Sequence, residues 1–84
     1  MTWRVVWTAK ARKTLARVQP PAQRLRIAKA VQRFAETGQG DVKKLKGYDD
    51  EYRLRVGEYR VRFTLQPATQ TIVVLLVFHR QGGY

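Results

Sequence analysis

Eighty-four residues carry 17 Lys and Arg against six Asp and Glu, a formal net charge of +11. A chain this short has room for one thin core, and the absence of cysteine excludes disulfides, thiolate metal sites and a cysteine nucleophile. An apolar content of 44% excludes a disordered chain, and so large a basic excess draws polyanions: nucleic acid, a ribosome or an acidic protein, with an anionic membrane surface a weaker attraction.

The first segment, Thr2 to Trp7, is rich in β-branched and aromatic residues and predicts a strand. Thr8 can cap a helix through its hydroxyl. Ala9 to Val18 follows with good helix formers, and Ala11, Leu15 and Val18 form a narrow apolar stripe. Pro20-Pro21 ends this helix, and Pro21 suits the first turn of the next. From Ala22 to Thr37 the period is clear, with Ile27, Ala28, Val31, Phe34 and Ala35 on one side. Gly38 stands where a left-handed C-terminal residue is expected. So short a link makes the pair an antiparallel helical hairpin.

Residues 39–50 read as a loop bent at Gly40 and Gly47, with Lys43, Lys44 and Lys46 around Leu45. Two readings stay open there: a solvated loop anchored by Leu45, or lysines that touch phosphate. Next, EYRLRVGEYRVRF alternates strictly from 51 to 63. Gly57-Glu58 suits a two-residue type II′ turn, so Val56 faces Tyr59, Arg55 faces Arg60, Leu54 faces Val61 and Arg53 faces Arg62. Tyr52, Leu54, Val56, Tyr59, Val61 and Phe63 take the core face, and four arginines take the other. A turn around Pro67 to Gln70 leads into TIVVLLVFHR, whose apolar run from Ile72 to Phe78 predicts a central strand covered on both faces. That run is far below the roughly 20 residues of a membrane helix, and TWRVVW has no apolar stretch of a leader behind it, so a soluble protein is expected.

The expected architecture is one α+β domain over residues 1–84. An N-terminal β-α-α unit lays its helical hairpin on one face of a small, mostly antiparallel sheet, and a three-strand meander follows.

Two facing arginine pairs repel across strands, so something negative belongs against them. Long stems covering the sheet, with heads in solvent, are the structural alternative. A face of guanidiniums suits phosphates, because each offers a planar, bidentate, permanently charged fork. Tyr48 and Tyr84 are the aromatics outside the core pattern that could stack a base. His79, the only histidine, should point away from Arg80 along an extended strand and act in packing or capping, with catalysis the alternative. Asp49, Asp50 and Glu51 read as loop solvation or charge balance. No spacing suggests a metal site or a cofactor.

The stretch KKLKGYDDEYRLRVGEYRVRF, followed by a buried strand ending in HRQGGY, resembles the RelE side of the RelE/ParE toxin superfamily. The likeness covers nearly the whole chain through element order, the K-L-K-G segment, the Y-R-L-R-V-G-x-Y-R hairpin and the terminal H-R-x-x-x-Y. It implies a toxin of a type II toxin–antitoxin pair. RelE-like members cut messenger RNA in the ribosomal A site, whereas ParE-like members act on DNA gyrase and lack the complete basic-plus-tyrosine set. By this resemblance the catalytic set is Arg53, Arg55, Arg60, Arg80 and Tyr84, with Lys43, Lys44, Lys46 and Arg62 holding RNA or ribosome. Arg53 and Arg55 stand where the pattern usually has lysines, which favours phosphate clamping over proton transfer. Clustered positive charge favours tyrosinate, so Tyr84 is the candidate base and Arg80 the acid or leaving-group stabiliser. The implied partners are a cognate acidic antitoxin, the ribosome and mRNA, in the cytoplasm. The competing expectations are a ParE-like gyrase inhibitor and a plain RNA-binding module.

Overall fold

A computed structural model describes residues 2–47 and 50–82. Strand β1 (Arg4–Trp7) leads into helix α1 (Ala9–Ala16), and helix α2 (Pro21–Thr37) follows. Strands β2 (Asp41–Lys44), β3 (Glu51–Val56), β4 (Tyr59–Gln66) and β5 (Thr71–His79) complete the chain, with a short 3₁₀ turn at Pro67–Thr69 before β5. The sheet runs β1-β5-β4-β3-β2. β1 lies parallel to β5, and every other pairing is antiparallel.

Local chemistry explains the helix bounds. The Thr8 hydroxyl accepts the Ala11 N–H at 3.1 Å and so satisfies one orphan donor at the start of α1. α1 ends at Ala16, two residues before the predicted end, because Gln19 precedes a proline and is biased out of the helical region. Val18 is nonetheless buried, and Arg24 Nε donates to its carbonyl at 2.9 Å. Pro21 opens α2, and Gly38 closes it at φ 75°, donating to the Phe34 carbonyl.

Both helices sit on one side of the sheet. Ala11, Ile27, Val31 and Ala35 interlock with Leu54, Val56, Val61, Phe63, Ile72 and Val74. Phe63 anchors this layer, with Phe34 at 5.4 Å and Tyr52 at 5.7 Å between ring centroids. Beyond β1, the free edge of β5 is sealed by α1. The Thr14 hydroxyl accepts the Val77 N–H at 3.0 Å, and the Thr8 hydroxyl donates to the Leu75 carbonyl. Two threonines thus replace a missing strand.

Two expectations need correction. Residues 39–50 are not wholly loop: Asp41–Lys44 form an edge strand paired with β3. A four-residue edge with one apolar side chain carries little sequence signal, and its lysines are what edges use to resist further pairing. The second concerns β5, which is central but fully covered only on the helix side. Val73, Leu75 and Phe78 are half-buried, and no helix lies on their face. Among the described residues no helix is long and apolar enough to cross a membrane.

Candidate polyanion-binding face

The β3–β4 hairpin positions the arginines. Its tip is Gly57-Glu58, with Gly57 at φ 58°, a left-handed value that glycine takes without strain. This turn sets the register: Val56 opposite Tyr59, Arg55 opposite Arg60, Leu54 opposite Val61 and Arg53 opposite Arg62, as the sequence predicts. Opposed residues lie about 4.5–5.5 Å apart at Cα, so the four stems rise side by side from the face without helices. Lys43 joins them by pairing with Arg53, whereas Lys44 pairs with Tyr52 and belongs to the other side. Lys46 lies in the turn after β2.

Not all these charges are equally available. Arg62 is ion-paired to Glu51 at 2.6 Å, and its side chain is only 13% exposed. Its charge is therefore balanced within the fold, which gives one member of the acidic run its role. Arg80, just past β5, pairs with Glu58 at the hairpin tip, and its backbone N–H donates to the Glu58 carbonyl. Arg60 lies between these groups. Its Nη1 donates to the Gly57 and Tyr59 carbonyls, both at 3.0 Å, which fixes the guanidinium over the turn. Partial desolvation, then the fields of Arg55, Arg53 and Arg80, push Arg60 below its ordinary pKa, while Glu58 pulls it back up. Arg53, Arg55, Arg60 and Arg80 thus form one electrostatic group. Tyr84 and Tyr48 lie outside the described residues.

The register also places Phe78 directly opposite Arg60 and Leu76 opposite Arg62. A half-buried aromatic therefore stands among the arginines, where a base could stack. Sequence reasoning missed it by treating the whole run as buried, and simple extension of the pairing would not have found it, because a register shift between Arg62 and Phe63 brings Phe78 rather than Val77 opposite Arg60. His79 lies opposite Tyr59, on the helix side, with its ring edge-on to Tyr59 at 5.3 Å. Its Nδ1 accepts the Gln81 N–H at 3.2 Å. This is the packing and capping role expected of it, turned away from the arginines. Among the described residues, no group of three His, Cys, Asp or Glu side chains could hold a metal.

The fold is thus an α+β sheet with helices on one face and a convergent arginine cluster on the other. Over residues 5–84 the sequence matches the family model described as the ParE toxin of the type II toxin–antitoxin system parDE, and the chain belongs to this family, within the RelE/ParE superfamily. It is 43% identical to toxin RelE3 of Methanocaldococcus jannaschii over 44 residues, which are 52% of this chain and 48% of that protein. The chain spans about half the length of the curated relatives it matches. Its fold is similar to that in the RelBE2 toxin–antitoxin complex of Mycobacterium tuberculosis, with a TM-score of 0.83 at 24% identity over 95% of this chain and 100% of that one. The archaeal RelE–RelB complex of Pyrococcus horikoshii gives 0.80 at 28% identity over 99% and 100%.

Proposed function

We propose that this chain is a RelE-like toxin, a ribosome-dependent endoribonuclease that cuts mRNA without a metal. The observation that carries the reading is the convergence of Arg53, Arg55 and Arg80 on a fixed Arg60. In the reaction a 2′-oxygen attacks the adjacent phosphorus, the bond to the 5′-oxygen breaks, and negative charge grows on the equatorial oxygens. Cations already crowded together are stabilised by that charge, and most strongly when it is greatest. Arg60 points its fork at the scissile phosphate, and Arg53 and Arg55 clamp it alongside. Arg80 exchanges Glu58 for the leaving oxygen, to which it donates or lends charge. Tyr84 takes the 2′-proton, since positive charge favours the tyrosinate form of a base. Lys43 and Lys46 contact flanking RNA, Lys44 on the other side of the sheet is left to the ribosome, and Arg62 holds the hairpin in shape through Glu51 while adding positive potential. Such a toxin works in the cytoplasm, where ribosomes are.

The partner is an acidic antitoxin segment that covers the arginine face or displaces the end bearing Tyr84, a reading supported by the toxin–antitoxin complexes among the structural relatives. Co-expression with the neighbouring reading frame should give a complex and rescue growth. The nuclease itself is tested with purified ribosomes carrying a defined message: cleavage must require the ribosome and leave 2′,3′-cyclic phosphate and 5′-hydroxyl ends, the products of 2′-oxygen attack. A second reading, inhibition of DNA gyrase, is favoured by the ParE family match. It predicts intact messages and an induced DNA-damage response.

A further inference from the structure

The arginine face does not stop at the sheet. On α2, Arg26 and Arg33 are seven residues apart and so share one helical face, with the small Ala30 between them. Both are exposed, and among the described residues neither forms an ion pair. They line a cleft of about 360 Å³ together with Arg55, Asp41 and the hairpin tip at Gly57. The Arg26 guanidinium lies over that tip so closely that a Cβ on Gly57 would come within 3.0 Å of its Nη1. On the other side of the same glycine, Arg60 Nη1 donates to the Gly57 carbonyl. Gly57 therefore lets a helix arginine and the central arginine of the sheet meet around one turn. Arg33 is oriented by Gln39, to whose Oε1 it donates at 2.9 Å. Asp41 is the one acid in the cleft, leaving a surplus of positive charge.

We infer that Arg26 and Arg33 form a second phosphate-binding segment that carries an RNA strand from the arginine face, around the β3–β4 hairpin tip, onto α2. The inference rests on the RNA reading above but assigns residues outside its catalytic set. The cleft has an apolar floor that includes Leu54 and Val56, but three arginines against one acid ring it and Arg55 joins it to the arginine face, and this excess charge suits a phosphodiester backbone. The two arginines grip phosphates upstream or downstream of the cut and orient the strand across Arg60.

The test is anisotropy of a labelled 2′-O-methyl oligouridylate, which cannot be cut, titrated with the full chain across a salt series. Arg26→Gln/Arg33→Gln should weaken binding and flatten the slope of log affinity against log salt by about 1.4, from two phosphates at about 0.7 each. Arg33→Gln alone should flatten it by about 0.7. The charge-matched control, Arg4→Gln/Lys10→Gln on exposed positions near the opposite sheet edge, should leave the slope close to wild type. Equal slopes for the two double variants would overturn the inference, since only net charge would then matter. Unchanged RNA binding with lost binding of a poly-glutamate peptide would overturn it in favour of an acidic-protein surface. If wild type shows no salt-dependent RNA binding, the RNA reading itself fails, an outcome distinct from a defect confined to the variants.

Discussion

Arg60→Ala removes a guanidinium held by two backbone carbonyls and crowded by Arg55, Arg53 and Arg80. Two effects on stability oppose each other. Losing two hydrogen bonds costs about 0.5–1.5 kcal/mol each before the solvent exposure of the site is counted. Against this, the substitution removes the partial desolvation and the repulsion from Arg55, Arg53 and Arg80 that lower the Arg60 pKa: the charged form is disfavoured in the fold, so a neutral side chain relieves it. Solvent screens this gain as well. The net change should stay within about 1 kcal/mol, a shift of less than about 4–8 °C in Tm for a domain of this size. Cleavage behaves differently. Removing one fixed group that stabilises a developing oxyanion costs about 10²–10³ in rate. Arg60→Lys keeps the charge and loses the fork, so it should fall between the two. Thermal melts and single-turnover cleavage on ribosomes read the two quantities separately. A variant that unfolds, or one that cuts at the wild-type rate, refutes the reasoning.

Thr14→Val keeps the shape and leaves the Val77 N–H without its acceptor, so stability should fall by about 1–3 kcal/mol in urea denaturation; an unchanged midpoint would show that α1 does not seal the β5 edge. Glu58→Gln removes the acid paired with Arg80 and should raise affinity for RNA with a steeper salt dependence, whereas weaker binding would mean that Glu58 orders the site. Tyr84→Phe should lose about a hundredfold in cleavage and keep ribosome affinity if Tyr84 is the base. If it only stacks, Phe retains most activity and Tyr84→Ala does not, and full cleavage by both variants would remove Tyr84 from the site.

The hairpin and α2 were legible because local chemistry settles them. Gly57-Glu58 permits one turn and hence one register, and Pro21 and Gly38 bracket α2 with residues suited to opposite ends of a helix. Strand β2 was illegible because its four residues, DVKK, become a strand only by pairing with β3. The parallel pairing of Arg4 with Thr71 joins residues from opposite ends of the chain, and no local pattern encodes it. The arginine face was visible in the alternation, but its internal balance was not. The Glu51–Arg62 pair is a diagonal contact within the hairpin, one step beyond the facing pairs, whereas Glu58 meets Arg80 only because the hairpin tip packs beside the end of β5. Phe78 stayed hidden for the same reason: a continuous apolar run does not reveal which of its faces lacks a covering layer.

The central claim is most directly tested by expressing the chain without a partner and mapping RNA 5′ ends across the transcriptome. The nuclease account predicts new internal ends confined to translated regions, absent when Arg60→Ala is expressed at the same level. Growth arrest with intact messages and an induced DNA-damage response would contradict it.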